Sequence, residues 1–364
     1  MSKFYAPSSY GEALDRLTIL ELKLQYIEDG RREDVQREYD ELKALVAHLI
    51  EKDRYHYERL LEVNHIMWEI QNILHGAYNL EKDKRYFLME QLAVENQRRF
   101  RIKRTMNEIL GSHHKEQKGY KGKKAFLLAH QGMGDIIFMN SAVRFLATNY
   151  DEVKVVVKKQ YLENARQLFS NEPSVTFFEI QDDKDISPLY GAPVEVFKKA
   201  IEGYEFVGAC GYHKQKDRTL DIPLDFYKDL GPEFDESMIG RWSNIPYDKS
   251  RYAFFFEKHQ RVKFFHNRSS NQIANISVNL EECLVINPAE NMYDQSHKWY
   301  KDAQQWVGLP LLEYCSVLEK AEQILVVDSS FFCLALMMGL KPEVWTRNGR
   351  SYKSFVSELV EHPF

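Results

Sequence analysis

Two short turns, each between an apolar run and a helix-like segment, carry the side chains best suited to chemistry. The first reads Gly132-Met133-Gly134-Asp135 and follows the apolar run that begins at Ala125. Glycines let the backbone approach a ligand closely, and the N–H groups that open the following helix favour an anionic or hydroxyl-rich partner. We therefore expect a ligand-binding turn with an acid-base carboxylate at Asp135. A plain turn in which Asp135 only caps the helix fits the same pattern.

The second turn reads Asp328-Ser329-Ser330 and follows the apolar run that begins at Ile324. A second apolar helix pattern comes directly after it. Two such turns, one in each half of an α/β region, predict a cleft that holds a ligand between two lobes. The alternative for Asp328 is a cap of the helix that follows.

Sugar transfer from a nucleotide donor is a reaction that these residue types can serve. It needs a base that takes the proton of the acceptor hydroxyl, and cationic or N–H-rich groups that stabilise the departing diphosphate. Asp135 suits the first role, and Lys298 with the hydroxyls of Ser329 and Ser330 suits the second. The alternative for Lys298 is an ordinary surface lysine, with a neighbouring cation in its place.

Residues 1–110 have the pattern of an all-helical domain. No proline occurs between Tyr10 and Leu110, and charged residues separate apolar ones at helical spacing. We predict three long helices in a hairpin, coiled coil or bundle, broken near Gly30 and after Gly76. The apolar stripe is expected to form the core, and the alternative is the seam of a homodimer. The stripe comprises Leu14, Leu17, Leu20, Leu24, Ile27, Leu42, Leu45, Leu49, Ile66, Ile70 and Ile73.

A basic stretch at 98–124 follows the helical pattern, and its second half, 111–123, is predicted to be a linker. A solvated helix face followed by a linker explains this charge. The alternative is contact with an anionic membrane surface or a phosphorylated acceptor. The basic residues are Arg98, Arg99, Arg101, Lys103, Arg104, Lys115, Lys118, Lys121, Lys123 and Lys124.

From Lys124 onwards, strand-like runs alternate with helix-like segments. This rhythm predicts α/β architecture: two Rossmann-type, doubly wound lobes at 124–247 and 248–364, with the ligand at the carboxyl ends of the strands. The first lobe is expected on the acceptor side and the second on the donor side. The predicted strands of the second lobe are Tyr252–Phe256, Cys283–Asn287, Ile324–Asp328 and Glu343–Thr346.

The composition excludes several classes of protein. A formal net charge of −5 gives no case for a nucleic-acid partner. With no run of about 18 apolar residues and no secretion signal, we expect a cytoplasmic protein that at most lies on the inner membrane face. The four scattered cysteines are expected to be reduced. Asn267-Arg-Ser269 matches a glycosylation acceptor, which we take to be chance.

One motif could hold a metal ion. Asp182-Asp-Lys-Asp185 has the Asp-x-Asp spacing by which some sugar transferases bind Mg²⁺ or Mn²⁺ on a diphosphate. It follows a predicted strand and precedes Pro188 and Gly191, so a solvated loop is expected. We predict no metal ligands, no cofactor and no essential metal.

The region 124–352 resembles the heptosyltransferase-like glycosyltransferases of the GT-B fold. The resemblance is carried by the Gly-Met-Gly-Asp turn, by the segment Asn287–Tyr300 and by Val327-Asp-Ser-Ser330, in this order. It implies that Asp135 is the base, that Lys298 contacts the donor phosphates and that Asp328 and Asn287 belong to the donor site. It also implies inversion without a metal and a glycan or lipid-linked glycan acceptor, as in lipopolysaccharide synthesis. The chain departs from the family in having Ser330 in place of Gly and Cys333 in place of His.

Two further resemblances bear on function. The Asp-Ser-Ser-Phe ending at 328–331 also looks like the donor site of GDP-fucose-dependent transferases. The segments 11–23 and 101–107 are similar to small helical proteins of unassigned function that are associated with surface-glycan genes. The alternatives to a glycosyltransferase are another nucleotide-sugar enzyme, such as an epimerase or hydrolase, and a non-catalytic scaffold for glycan assembly.

Overall fold

The computed structural model describes residues 7–76, 80–116, 122–128, 132–210, 227, 230–231, 234–269, 273–346, 352 and 358–363. Lys118 and Lys121 of the basic stretch lie outside these residues. The chain divides into two compact units. The first unit comprises Met1–Lys123, Leu146–Glu152 and Glu172–Ser174, and the second comprises Lys124–Phe145, Val153–Asn171 and Val175–Phe364.

Helices form the first unit along its N-terminal part. Ser9 begins α1, because its Oγ accepts a hydrogen bond from the Glu12 N–H at 3.1 Å. The break near Gly30 is present, and a further break at Asp53 divides the second predicted helix in two. The described helices are α1 Tyr10–Tyr26, α2 Arg31–Lys52, α3 Arg54–Gly76 and α4 Lys82–Ile109.

The apolar stripe forms the core of this unit. Leu14 and Leu17 are 0% exposed, so they cannot form the seam of a homodimer. Leu45 and Ile73 of the same stripe are exposed. The buried cluster comprises Leu14, Leu17, Val46, Leu49, Tyr57, Leu60, Val63, Met67, Ile102 and Met106.

A polar network joins α1 to α3 and α4 inside this core. Asp15 is 1% exposed, and its Oδ1 accepts hydrogen bonds at 2.8 Å from Asn64 Nδ2 and from Arg99 Nε. Lys103 donates to Glu12 Oε2 at 2.7 Å. Buried charges are tolerated when they are paired and hydrogen-bonded, and here the pairing defines which faces of the helices meet.

The start of α1 lies against the end of α4. The Gly11 N–H donates to Asn107 Oδ1 at 2.7 Å, and the Tyr10 N–H donates to Ser112 Oγ at 3.1 Å. A Cβ on Gly11 would lie 2.6 Å from the carbonyl oxygen of Lys103, so only glycine allows this approach. The segments that resemble small helical proteins therefore hold these two helices together.

Ion pairs within the first unit neutralise much of the basic stretch. Arg98 pairs with Glu95 at 2.6 Å, and Arg101 pairs with Asp151 at 3.2 Å. Lys103 is paired as described above. The alternative of contact with an anionic membrane therefore finds no support, because these cations are paired within the protein, and the expected solvated helix face is wrong for Arg101 and Lys103, which are buried. No helix in the described part of the chain is long and apolar enough to cross a bilayer.

A buried histidine lies between two buried carboxylates in the first unit. His56 Nδ1 is 2.7 Å from Asp53 Oδ1, and His56 Nε2 is 3.2 Å from Glu172 Oε1. Burial lowers the pKa of His56, but the charge of Glu172 and hydrogen bonds to both carboxylates outweigh it and raise the pKa to about 9. His56 is therefore a buried cation, and the break at Asp53 brings the first of its two partners into position.

The second unit contains two parallel sheets, as the α/β prediction requires. The first sheet has the order β3-β2-β1-β4 and the second has the order β6-β5-β7-β8-β9. Both include crossover connections between parallel strands, which helices supply. The strands are β1 Lys124–Leu128, β2 Glu152–Lys158, β3 Val175–Ile180, β4 Phe206–Ala209, β5 Val262–His266, β6 Leu284–Ile286, β7 Gln323–Val327, β8 Glu343–Thr346 and β9 Val360–Pro363.

The later helices fill the connections, and one replaces a predicted strand. The run Tyr252–Phe256 was expected to be extended, but Ala253–Lys258 is a helix. Its aromatic rings at spacing i, i+3 and i+4 surround Trp306, with ring centroids 4.6 to 6.4 Å away, and that spacing belongs to one helix face. The described helices are α5 Met133–Phe138, α6 Asn140–Asn149, α7 Leu162–Leu168, α8 Val194–Ala200, α9 Glu236–Trp242, α10 Ala253–Lys258, α11 Tyr300–Gln304, α12 Cys315–Lys320 and α13 Ser330–Met337.

Helices α5 and α13 touch at their first turns, although each follows a different sheet. A Cβ on Gly134 would lie 2.9 Å from Cys333 Sγ and 3.7 Å from Ser330 Cα. The glycine at position 134 is therefore required by the approach of α13. The contact joins the turn after β1 to the turn after β7.

We expect the stabilising effect of His56 to depend on pH. Its pKa in the folded protein, about 9, lies above its ordinary value of 6.5, so its contribution is complete below pH 6.5 and is lost as the pH rises through 9. In denaturant unfolding followed by circular dichroism, His56→Gln should lower the free energy of unfolding by about 3 kcal/mol at pH 6. The difference from wild type should shrink towards pH 9.5. His65→Gln, at a more exposed site, is the control, and a pH-independent difference would mean that folded His56 is neutral.

The contact between α5 and α13 predicts that Gly134→Ala destabilises the protein only while Cys333 is present. Gly134→Ala should lower the free energy of unfolding by about 1 to 2 kcal/mol, because the new methyl group displaces Cys333. In a Cys333→Ala background the same substitution should be neutral or stabilising, since alanine favours helix. Gly240→Ala in α9, with no atom within 4 Å of the new Cβ, is the control and should be stabilising. Additive effects of Gly134→Ala and Cys333→Ala would contradict the contact.

Candidate functional site

The turn after β1 places Asp135 in the first turn of α5. The Gly132 backbone is extended, and its N–H donates to Asp135 Oδ2 at 2.8 Å. Asp135 therefore caps the helix, as the simpler interpretation predicted, and it is half-buried. The cap orients the carboxylate at the carboxyl end of β1, which is also what a base for a bound hydroxyl requires. Met133 is 5% exposed and belongs to the core.

In the turn after β7, a hydrogen bond from a tyrosine holds the Asp328 carboxylate. Asp328 is 7% exposed, and its Oδ1 accepts a hydrogen bond from Tyr352 Oη at 2.8 Å. The ring of Tyr352 packs edge-on against Phe332, with centroids 4.5 Å apart. Asp328 is thus oriented by a side chain, and its backbone N–H continues the ladder with β8 by donating to the Trp345 carbonyl at 3.0 Å.

A histidine that the sequence analysis did not identify lies beside this turn. His266 ends β5, the strand next to β7, and its Nδ1 is 3.4 Å from Ser329 Oγ. Burial lowers the pKa of His266 to about 4, and the nearby charge of Arg268 adds to this shift. The imidazole is therefore neutral at pH 7. It can donate a hydrogen bond to, or accept one from, Ser329 or a ligand at the start of α13.

Three consecutive polar side chains follow His266, each with a buried atom that has no hydrogen-bond partner in the described part of the chain. These atoms are Asn267 Oδ1, Arg268 Nε and Ser269 Oγ. Arg268 also pairs with Glu290 through Nη2 at 3.1 Å. Buried polar atoms are nearly always hydrogen-bonded in folded proteins, and ligands of parallel sheets bind at the carboxyl ends of strands, so these three atoms are candidates for contact with a ligand. The sequence signal was the Asn-Arg-Ser triplet, which resembled only a glycosylation pattern.

The two other predicted donor-site residues lie one strand further away. Asn287 follows β6, and its side chain is engaged in its own loop: Oδ1 accepts from the Ala289 N–H at 2.9 Å, and Nδ2 donates to Met292 Sδ. Lys298 is exposed, with Nζ 4.2 Å from the ring centroid of Trp299, and it forms no ion pair with a described residue. Because β5 separates β6 from β7, the sheet order does not put these residues beside Asp328.

The Asp-x-Asp motif has a structural use. Asp183 pairs with Lys158 at 2.7 Å. Asp185 Oδ2 accepts hydrogen bonds from the Asp182 and Gln181 N–H groups, which lower its pKa. These contacts close a short turn after β3. Among the residues that the structure describes, no group of three or more His, Cys, Asp and Glu side chains could hold a metal ion.

The contact of α5 with α13 brings the two predicted turns together. Gly134 approaches Ser330 and Cys333, so its neighbour Asp135 lies on a turn that touches the turn of Ser329 and Ser330. One side of the site offers a carboxylate. The other offers hydroxyl groups and the N-terminus of an eight-residue helix, α13. The arrangement can accept a proton on one side and stabilise negative charge on the other.

Comparison with known proteins gives two similar solved structures. No protein-family model and no curated protein matches the chain. The crystal structure of the glycosyl transferase family 9 from Veillonella parvula DSM 2008 has 8% identity and a TM-score of 0.36, covering 66% of this chain and 85% of that one. The bacterial iron-containing dodecameric glycosyltransferase TibC from enterotoxigenic E. coli H10407 has 14% identity and a TM-score of 0.37, covering 65% of this chain and 61% of that one.

These comparisons leave one prediction without support and contradict another. The likeness of the N-terminal helices to small uncharacterised proteins finds no support in them. The prediction that neither a cofactor nor a metal is needed is contradicted, because TibC is an iron-containing glycosyltransferase. The residues that the structure describes do not fit an iron centre, since no cluster of metal-ligating side chains occurs among them. The structures to which this chain is similar are both glycosyltransferases, one of them of family 9.

Proposed function

We propose that the chain is a glycosyltransferase that moves a sugar from a nucleotide-sugar donor to a hydroxyl group of a glycan or lipid-linked glycan. The observation that carries this proposal is the contact of α5 with α13 at Gly134. It puts the turn of Asp135 against the turn of Ser329 and Ser330. A proton acceptor facing a site for negative charge is what direct displacement at a sugar carbon requires.

On the acceptor side, Asp135 acts as the general base. The acceptor oxygen forms a bond to the anomeric carbon while its proton passes to the Asp135 carboxylate. The bond from that carbon to the diphosphate oxygen breaks, and its electron pair leaves with the nucleotide diphosphate. Because attack and departure occur on opposite faces, the anomeric configuration inverts. The hydrogen bond from the Gly132 N–H keeps the carboxylate in position for this step.

On the donor side, the edge formed by β5 and β7 binds the diphosphate. Arg268 pairs with Glu290 through Nη2, and its orphaned Nε supplies a charge-assisted donor. Neutral hydrogen-bonding groups come from Ser329, Ser330 and His266, and they add no charge to the site. Asp328, held by Tyr352, is suited to hydroxyl groups of the donor, because a carboxylate repels phosphate.

Lys298 and Asn287 belong to the outer part of the proposed donor site. Lys298 is exposed on the loop after β6 and can reach a diphosphate as a second cation. Asn287 shapes that loop through its hydrogen bond from the Ala289 N–H. We therefore expect Lys298 to contribute less to nucleotide binding than Arg268 does.

A thermal-shift panel of UDP, GDP, ADP and CMP with their sugars tests the function. One nucleotide, at about 100 times its dissociation constant, should stabilise the protein by roughly 2.7 kcal/mol, a shift of a few degrees. Product analysis with glycan acceptors then separates transfer from hydrolysis. Donor hydrolysis that acceptors do not affect would favour another nucleotide-sugar enzyme, and the absence of any nucleotide binding would favour a scaffold.

Asp135→Asn should separate the base from the helix cap. The amide oxygen still accepts the Gly132 N–H but cannot take a proton, so turnover should fall by about 10² to 10⁴ with nucleotide affinity unchanged. Asp135→Ala should lose the cap as well and lower the free energy of unfolding by about 1 kcal/mol. Turnover of Asp135→Asn near that of wild type would mean that Asp135 is only a cap.

Arg268→Gln should weaken binding of the nucleotide diphosphate by about tenfold or more, because a charge-assisted hydrogen bond is lost. Titration calorimetry should show a smaller loss for Lys298→Gln. Arg261→Gln is the matched control: Arg261 precedes β5 at its opposite end and also pairs with a glutamate, Glu322, at 2.8 Å. Equal affinities for Arg268→Gln and Arg261→Gln would remove the β5 edge from the donor site.

A further inference from the structure

Two of the three unpartnered polar atoms at the end of β5 have no part in the proposed reaction. They are Asn267 Oδ1 and Ser269 Oγ, both buried and without a hydrogen-bond partner in the described part of the chain. The backbone around them is fixed by tertiary contacts. The Asn267 carbonyl accepts a hydrogen bond from the Ala274 N–H at 2.9 Å, and Arg268 forms an antiparallel bridge with Ile273.

The side-chain amide of Asn267 shows which kind of ligand group it lacks. Its Nδ2 donates to the Ala274 carbonyl oxygen at 3.4 Å. Because a carbonyl oxygen only accepts, the end of the amide that faces it is the NH₂ group, and the unpartnered end is the oxygen. An amide oxygen accepts hydrogen bonds and donates none. An ionised phosphate or carboxylate therefore cannot satisfy Asn267 Oδ1, whereas an O–H or N–H group of a ligand can.

Arg268, between Asn267 and Ser269, offers the opposite chemistry. Its unpartnered Nε only donates, and its Nη2 pairs with Glu290 at 3.1 Å. The bridge at residue 268 keeps the chain extended past the end of β5, so Asn267 and Ser269 lie on the side opposite Arg268. Consecutive Cα atoms are about 3.8 Å apart. A nucleotide lying across the end of β5 thus meets a cationic donor on one side and an acceptor on the other.

We propose that Asn267 accepts a hydrogen bond from a ribose hydroxyl of the donor nucleotide and makes the site selective for ribonucleotides. The proposal rests on the proposed function, from which it takes the ligand. The ribose is the part of a nucleotide next to the phosphates, so it is the first source of O–H groups beyond those bound by Arg268. Ser269 Oγ, on the same side, can bond to the second ribose hydroxyl. Neither residue takes part in a chemical step.

Titration calorimetry with UDP, GDP, ADP and CDP, each beside its 2′,3′-dideoxy counterpart, tests the selectivity. These probes lack the transferred sugar, which is the other source of hydroxyl groups. The diphosphate that binds should do so at least about tenfold more tightly than its dideoxy form, which leaves a buried acceptor unpaired. Equal affinities would overturn this inference and leave the proposed function intact. The absence of binding by every nucleotide would overturn both.

Variants assign the preference to a residue. Asn267→Ala should bind the ribose and dideoxy forms equally well. Asn267→Asp, the matched control, keeps an accepting oxygen and should keep the preference, although its charge weakens both forms. Arg268→Gln should also weaken both and keep the preference. A preference that persists in Asn267→Ala and disappears in Glu290→Gln would assign the hydroxyl to Glu290 and overturn the inference. The ratio measured for wild type decides the matter if Asn267→Ala does not fold.

Discussion

The close approach of α5 to α13 is the constraint on which the candidate site depends. A side chain at position 134 would overlap Cys333, so the absence of one lets the turns after β1 and β7 meet. Each turn alone is an ordinary connection between a strand and a helix. Together they bring the turn that carries Asp135 against the turn that carries Ser329 and Ser330. Gly134, which the sequence analysis assigned to the approach of a ligand, is required by the packing of these two helices.

Buried polar groups join the helices of the first unit and mark one candidate site in the second. In the first unit, buried Asp15 pairs with half-buried Arg99 and buried Lys103, and His56 lies between two carboxylates. Such networks define which helix faces meet, and they leave little for a partner molecule to bind. At the end of β5, atoms of three consecutive polar side chains are buried without a partner among the described residues. Because an unmade hydrogen bond is costly in a low dielectric, a ligand that bonds to these atoms gains free energy.

The two halves of the proposed reaction need opposite electrostatics, and the fold supplies them from different strands. The base must hold a negative charge beside the acceptor, whereas the leaving diphosphate must meet positive or neutral donors. Neutral His266 beside Ser329 adds no charge to the proposed donor edge. Asp328 is the exception, and in the proposed reaction it binds hydroxyl groups of the donor while Tyr352 holds its carboxylate in place.

The sequence by itself determined the local structure and the positions of the two turns. The helical spacing of apolar residues and the lack of proline were sufficient for the N-terminal helices. Apolar runs such as Ile324–Asp328 were sufficient for most strands, because these patterns reflect backbone geometry and burial. Tertiary structure decided what depends on distant partners. Packing around Trp306 favours a helix over a strand for the aromatic run at 252–256. The sheet order puts His266 beside Ser329 and leaves Lys298 after a strand that is not next to β7. Asp15, Glu95 and Asp151 neutralise arginines that looked available for a membrane. Pairing across long sequence separations has no local signature, so no spacing rule could have revealed it.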